Sequence, residues 1–202
     1  MVRHLSRCLL MAFTIIWPVL AGAAEQLKLA DLSAYLNQIE TLSTDFTQTN
    51  DDGSVSTGTL YIRRPGRMRF EYDPPLDALV IAGAGAVVIF DGKSNQPPET
   101  YPLNRTPLSL ILKRNIDLTR ARMVKDARFD GKSTTVTAFD PENPDSGVIR
   151  LRFTDNPTQL RDWVIEDASG ARTTVVLGDL QEGMNLPAQL FDAGREARQR
   201  NR

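Results

Sequence analysis

Beyond residue 43 the apolar residues of this chain recur at every second position, in short runs divided by turn residues roughly every 8–12 positions. That period commits most of the chain to antiparallel strands. Thr44, Phe46 and Gln48 alternate with Ser43, Asp45 and Thr47, and Asp52-Gly53 then signals a hairpin turn. The run from Gly58 is β-rich until Pro65 ends it. Met68, Phe70 and Tyr72 face one way and Arg67, Arg69 and Glu71 the other, before Asp73-Pro74-Pro75 breaks the pattern. Residues 79–81 and 87–90 flank a Gly83-Ala84-Gly85 turn. Residues 122–129 meet 132–139 through Asp130-Gly131. Val148, Arg150 and Arg152 oppose Ile149, Leu151 and Phe153, and residues 160–166 and 172–178 form one more hairpin about Ser169-Gly170. Residues 186–191 read as a short edge strand. Roughly nine to eleven antiparallel strands are expected, which is the signature of a curved sheet or barrel.

Two segments break this period. Leu29, Leu32, Leu36 and Ile39 recur at three- and four-residue spacing, which predicts a helix with Asp31 as its cap and an end near Leu42. Residues 107–113 interrupt the strands with a very apolar stretch. Thr106 suits an N-cap and Pro107 the first turn of a helix about two turns long. Leu108, Leu110, Ile111 and Leu112 make it apolar nearly all round. Two readings fit: a core helix packed on the sheet, or a lid over an apolar cavity, able to move because so short a helix has little stability of its own.

The ends of the chain restrict the chemistry. Arg3 and Arg7, an apolar stretch over residues 8–20 and the small residues Ala21-Gly22-Ala23 read as a secretory signal peptide over residues 1–23, which places the product in the periplasm. The only Cys (Cys8) and the only His (His4) fall inside it. The remaining chain therefore has no disulfide, thiol nucleophile or Ser-His-Asp triad, and no zinc or haem site of the usual kind. Ala23 stands where a lipid anchor would need Cys. Residues 24–193 are expected to form one domain, with a core as its sole source of stability. Residues 194–202 form an Arg-rich tail of net charge +3, expected to be disordered or loosely helical. The body before the tail is acidic, which argues against a nucleic-acid surface.

Among the charged residues, Arg67, Arg69, Arg150 and Arg152 read as wet strand faces. Arg64 differs from its neighbour Arg63, because it shares a strand face with Leu60 and Ile62. A guanidinium at an apolar rim needs acceptors, and carbonyls at the end of a lid helix would serve its five donors. The carboxylates show no spacing that pairs two of them across a groove, so a hydrolase of the glycosidase kind has no support in the pattern.

The order of these pieces resembles one family, the periplasmic outer-membrane lipoprotein carriers (the LolA family). The resemblance rests on an N-terminal helix leading into Phe46-Thr47-Gln48, then on Gly58-Thr59-Leu60-Tyr61-Ile62-Arg63-Arg64-Pro65-Gly66. It continues through Met68-Arg69-Phe70-Glu71-Tyr72, the inserted Pro107-Leu108-Ser109-Leu110-Ile111-Leu112 segment and Leu160-Arg161-Asp162-Trp163. The family often has Trp where this chain has Tyr61 and Tyr72, and some members carry an extra strand in place of the Arg-rich tail.

The resemblance implies a mainly β fold, an open antiparallel half-barrel whose concave apolar face is covered by the N-terminal helix and a short lid helix. It implies a cavity for lipoprotein acyl chains, which on this chain would be lined by Leu36, Phe46, Leu60, Ile62, Met68, Phe70, Tyr72, Leu108, Leu110 and Ile111, with Arg64 clamping the lid. It implies a monomeric carrier and not an enzyme, with no cofactor and no metal. Cargo would come from an inner-membrane ABC transporter of the LolCDE type and pass to an outer-membrane acceptor of the LolB type. A carrier or sensor of another lipid or glycolipid on the same fold is the alternative.

Overall fold

The computed structural model describes residues 25–92, 96–120 and 122–200; the segment read as a signal peptide lies outside these residues. The chain forms α1 (Leu29–Gln38), then β1 (Thr41–Thr49), β2 (Val55–Arg63), β3 (Arg67–Tyr72), β4 (Leu79–Gly83), β5 (Ala86–Phe90) and β6 (Glu99–Pro102). A 3-10 turn (Leu103–Arg105) and the one-turn α2 (Leu108–Ile111) follow. The strands resume as β7 (Val124–Phe129), β8 (Ser133–Ala138), β9 (Val148–Thr154), β10 (Gln159–Glu166), β11 (Arg172–Leu177) and β12 (Gln181–Glu182), and α3 (Ala193–Arg200) ends the described chain.

The strands make one antiparallel sheet in the order β6-β5-β4-β3-β2-β1-β11-β10-β9-β8-β7, with β12 paired to β1. The crossing from β1 to β11 brings the two halves of the chain together in the middle, so β6 and β7 end as free edges and the sheet stays open. The open half-barrel expected from the sequence is the fold observed.

Alternation decides which residues face inward. On β9 every second residue, Ile149, Leu151 and Phe153, is fully buried while the Arg residues between them are not. The same rule buries Leu60 and Ile62 on β2 and Met68 and Phe70 on β3. These side chains meet Leu32 and Leu36 of α1 and Leu110, Ile111 and Leu112 of the inserted segment in one core on the concave face.

Four local expectations are corrected. Helix α1 ends at Gln38 and not near Leu42, because Ile39 is already extended and Leu42 is needed on β1. Lys28 and not Asp31 stands at the N-cap; Asp31 lies in the first turn, where its charge suits the helix dipole. The inserted segment is one α turn and not two, with Pro107 at its N-cap, while the Thr106 hydroxyl donates to Leu103 O in the preceding 3-10 turn. Residues 186–191 contribute a 3-10 turn (Ala188–Phe191) and no strand. Of the two readings of the Arg-rich tail, its described part takes the helical one, as α3.

The 3-10 turn and α3 share a cause. Leu186 and Phe191 pack on Leu79, Ile81 and Phe90, the outward side of β4 and β5, to form a second small core on the outer face. Gly83 permits this approach: a Cβ there would lie 2.6 Å from Phe191 O. Arg63 donates to Leu186 O (2.6 Å), Arg69 to Leu190 O (3.1 Å), and Arg69 pairs with Glu196 of α3 (3.4 Å). Arg69 is thus a buried tether, with only 12% of its side chain exposed, and not part of a wet strand face. Arg63 holds the same strap.

Candidate functional site beneath the inserted lid

The concave face is floored by an aromatic cluster. Phe46 meets Phe70 and Tyr72 edge-on, with ring centroids at 5.1 and 5.2 Å. Phe46 lies over Gly58, its directly opposed neighbour on β2, where a Cβ would come within 2.9 Å of the ring. The glycine therefore gives the ring its seat. Tyr72 is half-buried and donates its hydroxyl to Gln48 Oε1 at 2.7 Å; desolvation pushes its pKa up to about 12, so it remains neutral. On the far half of the sheet Tyr35 of α1 packs edge-on against Phe153 at 6.2 Å and accepts a hydrogen bond from Leu160 N.

The roof consists of α1 and residues 103–118. Leu103, Leu110, Ile111, Leu112, Ile116 and Leu118 are all buried against the floor. One α turn has no intrinsic stability, so its position depends on anchors. Arg64, just past β2, supplies more of them than any other side chain. Its Nε and Nη2 donate to Lys113 O (3.0 and 2.7 Å), Nη2 also to Arg114 O (3.0 Å) and Asn37 Oδ1 (3.1 Å). Its Nη1 donates to Leu36 O and to Ile39 O (3.3 Å). One side chain thus ties the C-terminal ends of α1 and of the lid to the strand. Burial pulls the Arg64 pKa down and Glu40 pulls it up, but a guanidinium remains charged in proteins.

Four further anchors secure the same end. Gly66 N donates to Leu112 O (2.9 Å), and Lys113 Nζ pairs with Asp140 Oδ2 (3.1 Å). Asn37 exchanges two hydrogen bonds with the Ile116 backbone (2.8 and 2.9 Å), and Ser33 Oγ accepts from Leu118 N (2.9 Å). Burial alone would raise the Asp140 carboxyl, but hydrogen bonds from Glu142 N and Lys113 Nζ outweigh it and hold the group below the ordinary carboxylate range.

The space beneath the lid is closed. A cavity of about 10 Å³ remains among Leu110, Ile111, Ile116, Leu118, Met123, Ala138, Leu151 and the stem of Lys113. That is at the lower limit for a single water. A ligand of any size therefore enters only by displacing the roof. Larger hollows lie elsewhere: a solvent-open rim of about 810 Å³ beside Gly66, Ser109 and Lys113, and an outer-face groove of about 470 Å³ along Asp45, Thr47, Thr57, Thr59 and Val176. Among the described residues no group of three His, Cys, Asp or Glu side chains could hold a metal ion, and no helix is long and apolar enough to cross a membrane.

Every apolar residue that the sequence proposed for the cavity lies in this one core. Leu36, Phe46, Leu60, Ile62, Met68, Phe70, Leu110 and Ile111 are buried in it, and Tyr72 and Leu108 pack at its margin. The other half of the floor comes from Val136, Leu151, Phe153 and Trp163, which are absent from that set although the period-two pattern of β9 is visible in the sequence. Absent too are the anchors Ser33, Asn37 and Asp140, which carry no motif of their own.

The match to known proteins follows the same region. The family model described as "Outer membrane lipoprotein carrier protein LolA" matches residues 37–193. A protein named outer-membrane lipoprotein carrier protein from Chromobacterium violaceum is 27% identical over 180 residues, with 85% of each chain covered. One of the same name from Dechloromonas aromatica is 28% identical over 181 residues, covering 85% of this chain and 83% of the other. Among solved structures, a putative outer membrane lipoprotein-sorting protein domain from Vibrio parahaemolyticus superposes with a TM-score of 0.51 at 10% identity, over 85% of this chain and 98% of that one. The last likeness bears on the fold alone.

Proposed function

We propose, from the premise that this chain belongs to the LolA family of outer membrane lipoprotein carrier proteins, that it shields the acyl chains of a lipoprotein between its sheet and its lid while the lipoprotein crosses the periplasm. A triacylated lipoprotein carries about 45 methylenes; at roughly 0.8 kcal/mol each, their exposure to water would cost on the order of 35 kcal/mol. A carrier has to replace most of that cost with its own apolar surface and still release the cargo.

The observation that carries the reading is the closed roof over a predominantly apolar floor, held by hydrogen bonds from Arg64 together with Gly66, Asn37, Ser33 and the Lys113–Asp140 pair. In the empty protein, lid and floor cover each other. Cargo takes the lid's place, so the cost of displacing the lid tempers the affinity. Cargo comes from an inner-membrane ABC transporter of the LolCDE type and passes to an outer-membrane acceptor of the LolB type, and the carrier works as a monomer. The chain has no nucleotide-binding motif such as a P-loop, so in this scheme energy enters at the donor and direction comes from a tighter acceptor. The site residues are those of the floor and roof, Leu36, Phe46, Leu60, Ile62, Met68, Phe70, Tyr72, Leu108, Leu110 and Ile111, with Arg64 as the clamp.

Mass spectrometry of material co-purified with the protein after osmotic shock tests this reading. Acylated protein is the expected companion. A glycolipid or free lipid in its place would favour a carrier or sensor of other cargo, and recovery of the protein only with the membrane pellet would contradict export.

A further inference from the structure

We infer that the indole N–H of Trp163 is a donor reserved for an acyl carbonyl, so that the site selects ester- or amide-linked acyl chains over plain hydrocarbon; the inference rests on the carrier reading above.

Trp163 is fully buried within the core beneath the lid, and its Nε1 has no hydrogen-bond partner. A buried donor without an acceptor is costly and rare in native proteins. The other polar groups bordering this core are paired: Tyr72 with Gln48, Thr134 with Leu27 N, Ser33 with Leu29 O and Leu118 N, and Asn37 with Ile116. Of the other buried side-chain atoms without a hydrogen bond among the described residues, Ser109 Oγ borders the solvent-open rim and Asp162 Oδ2 lies against Arg152. Ser146 ends the 3-10 turn Pro144–Ser146 in the β8–β9 connection. Trp163 alone is an orphan within this core.

The backbone puts it there by an irregularity. The β9–β10 register shifts between Leu160 and Asp162. Leu160 and Trp163, three residues apart, therefore both belong to the concave core, where strict alternation would turn Asp162 inward. Bulges that re-aim one side chain are common beside functional sites. Trp163 stands directly opposite Leu151 on β9 and Val175 on β11. Leu151 also lines the small cavity under Leu110 and Ile111. The indole thus flanks the place that acyl chains would take on lifting the lid. A chain joined to its carrier by an ester or amide brings an acceptor to that place, and a dialkyl chain brings none of comparable strength.

The test compares binding of a diacylglycerol with that of a dialkylglycerol of equal chain length to the purified full chain and to Trp163→Phe, which keeps the apolar ring and removes the donor. The wild type is expected to prefer the diacyl probe by about tenfold. Trp163→Phe is expected to lose the preference and bind the two probes with equal affinity. In ¹⁵N-indole spectra the Trp163 Nε1–H proton resonance, assigned by its loss in Trp163→Phe, should move downfield with the diacyl probe only; this readout needs no stable variant other than for assignment. Equal binding of the two probes by the wild type, or a preference that survives in Trp163→Phe, overturns this inference and leaves the carrier reading standing. Failure of the wild type to bind either probe contradicts both. Lipoprotein and phospholipid acyl groups share the carbonyl, and competition between a synthetic triacylated lipopeptide and phosphatidylethanolamine vesicles separates the two sources.

Discussion

Arg64 and Arg63 are adjacent, and their environments separate their expected effects. Charge-assisted hydrogen bonds to carbonyls are each worth about 1.5–3 kcal/mol, and Arg64 holds the lid and α1 with several at once. Arg64→Leu should raise amide hydrogen exchange over residues 108–118, hold cargo more tightly and slow its release about ten- to a hundredfold. Arg64→Lys should fall between, because an ammonium cannot span carbonyls on two elements. Arg63→Leu instead removes a bond to Leu186 O. It should lower stability by about 1.5–3 kcal/mol and leave lid exchange and transfer unchanged. Equal lid exchange in the Arg63 and Arg64 variants would contradict the clamp. Asp140 gives a pH signature. Its folded pKa is depressed by hydrogen bonds from Glu142 N and Lys113, so its contribution is present above the unfolded carboxyl pKa, near 4, and is lost as pH falls through the lower folded value. The Lys113 latch should therefore hold at neutral pH and loosen only in acid. Asp140→Asn should abolish that acid step in lid exchange.

At the scale of elements, the lid is the segment whose substitution should separate binding from folding. Leu110→Glu or Ile111→Glu places a charge where both side chains are now buried, and a lone buried carboxylate is costly. Either variant should lose affinity for an acyl probe while its far-ultraviolet circular dichroism stays that of the sheet; full affinity would mean that the lid does not line the site. The C-terminal strap makes the opposite prediction. Leu186 and Phe191 cover Leu79, Ile81 and Phe90 on the outer face, so Phe191→Ala should cost about 3 kcal/mol without changing acyl-probe affinity, as read by denaturant unfolding and probe titration. These two elements also differ in how legible they were. The lid announced itself because four apolar residues interrupt an alternating pattern. The strap did not, because apolar residues on both faces of residues 79–90 read equally as a buried hairpin, and an Arg-rich end reads as a solvated tail until Arg69 is seen to pair with Glu196. Trp163 escaped for a third reason: period-two reasoning assigns the wrong face across a bulge.

For the whole molecule, the sequence carried the architecture further than the site. Alternation and turns specify strands, and a helix before the strands and an insertion among them leave an open sheet with a cover as the economical arrangement. They do not specify that the cover is closed onto the floor when empty, since that depends on hydrogen bonds between distant residues, Arg64 to Lys113 and Asn37 to Ile116 among them. The central claim is that this buried apolar interior, and no other surface, receives the acyl chains. A lipoprotein with a photoreactive group near the end of one acyl chain, bound to the purified protein, irradiated and mapped by peptide mass spectrometry, tests it most directly. Adducts are expected on the floor and roof, at Phe46, Phe70, Leu110 or Ile111, and are expected to be lost in Ile111→Glu. Adducts confined to the outer-face groove at Thr47, Thr57, Thr59 or Val176, or a labelling pattern unchanged by Ile111→Glu, would contradict it.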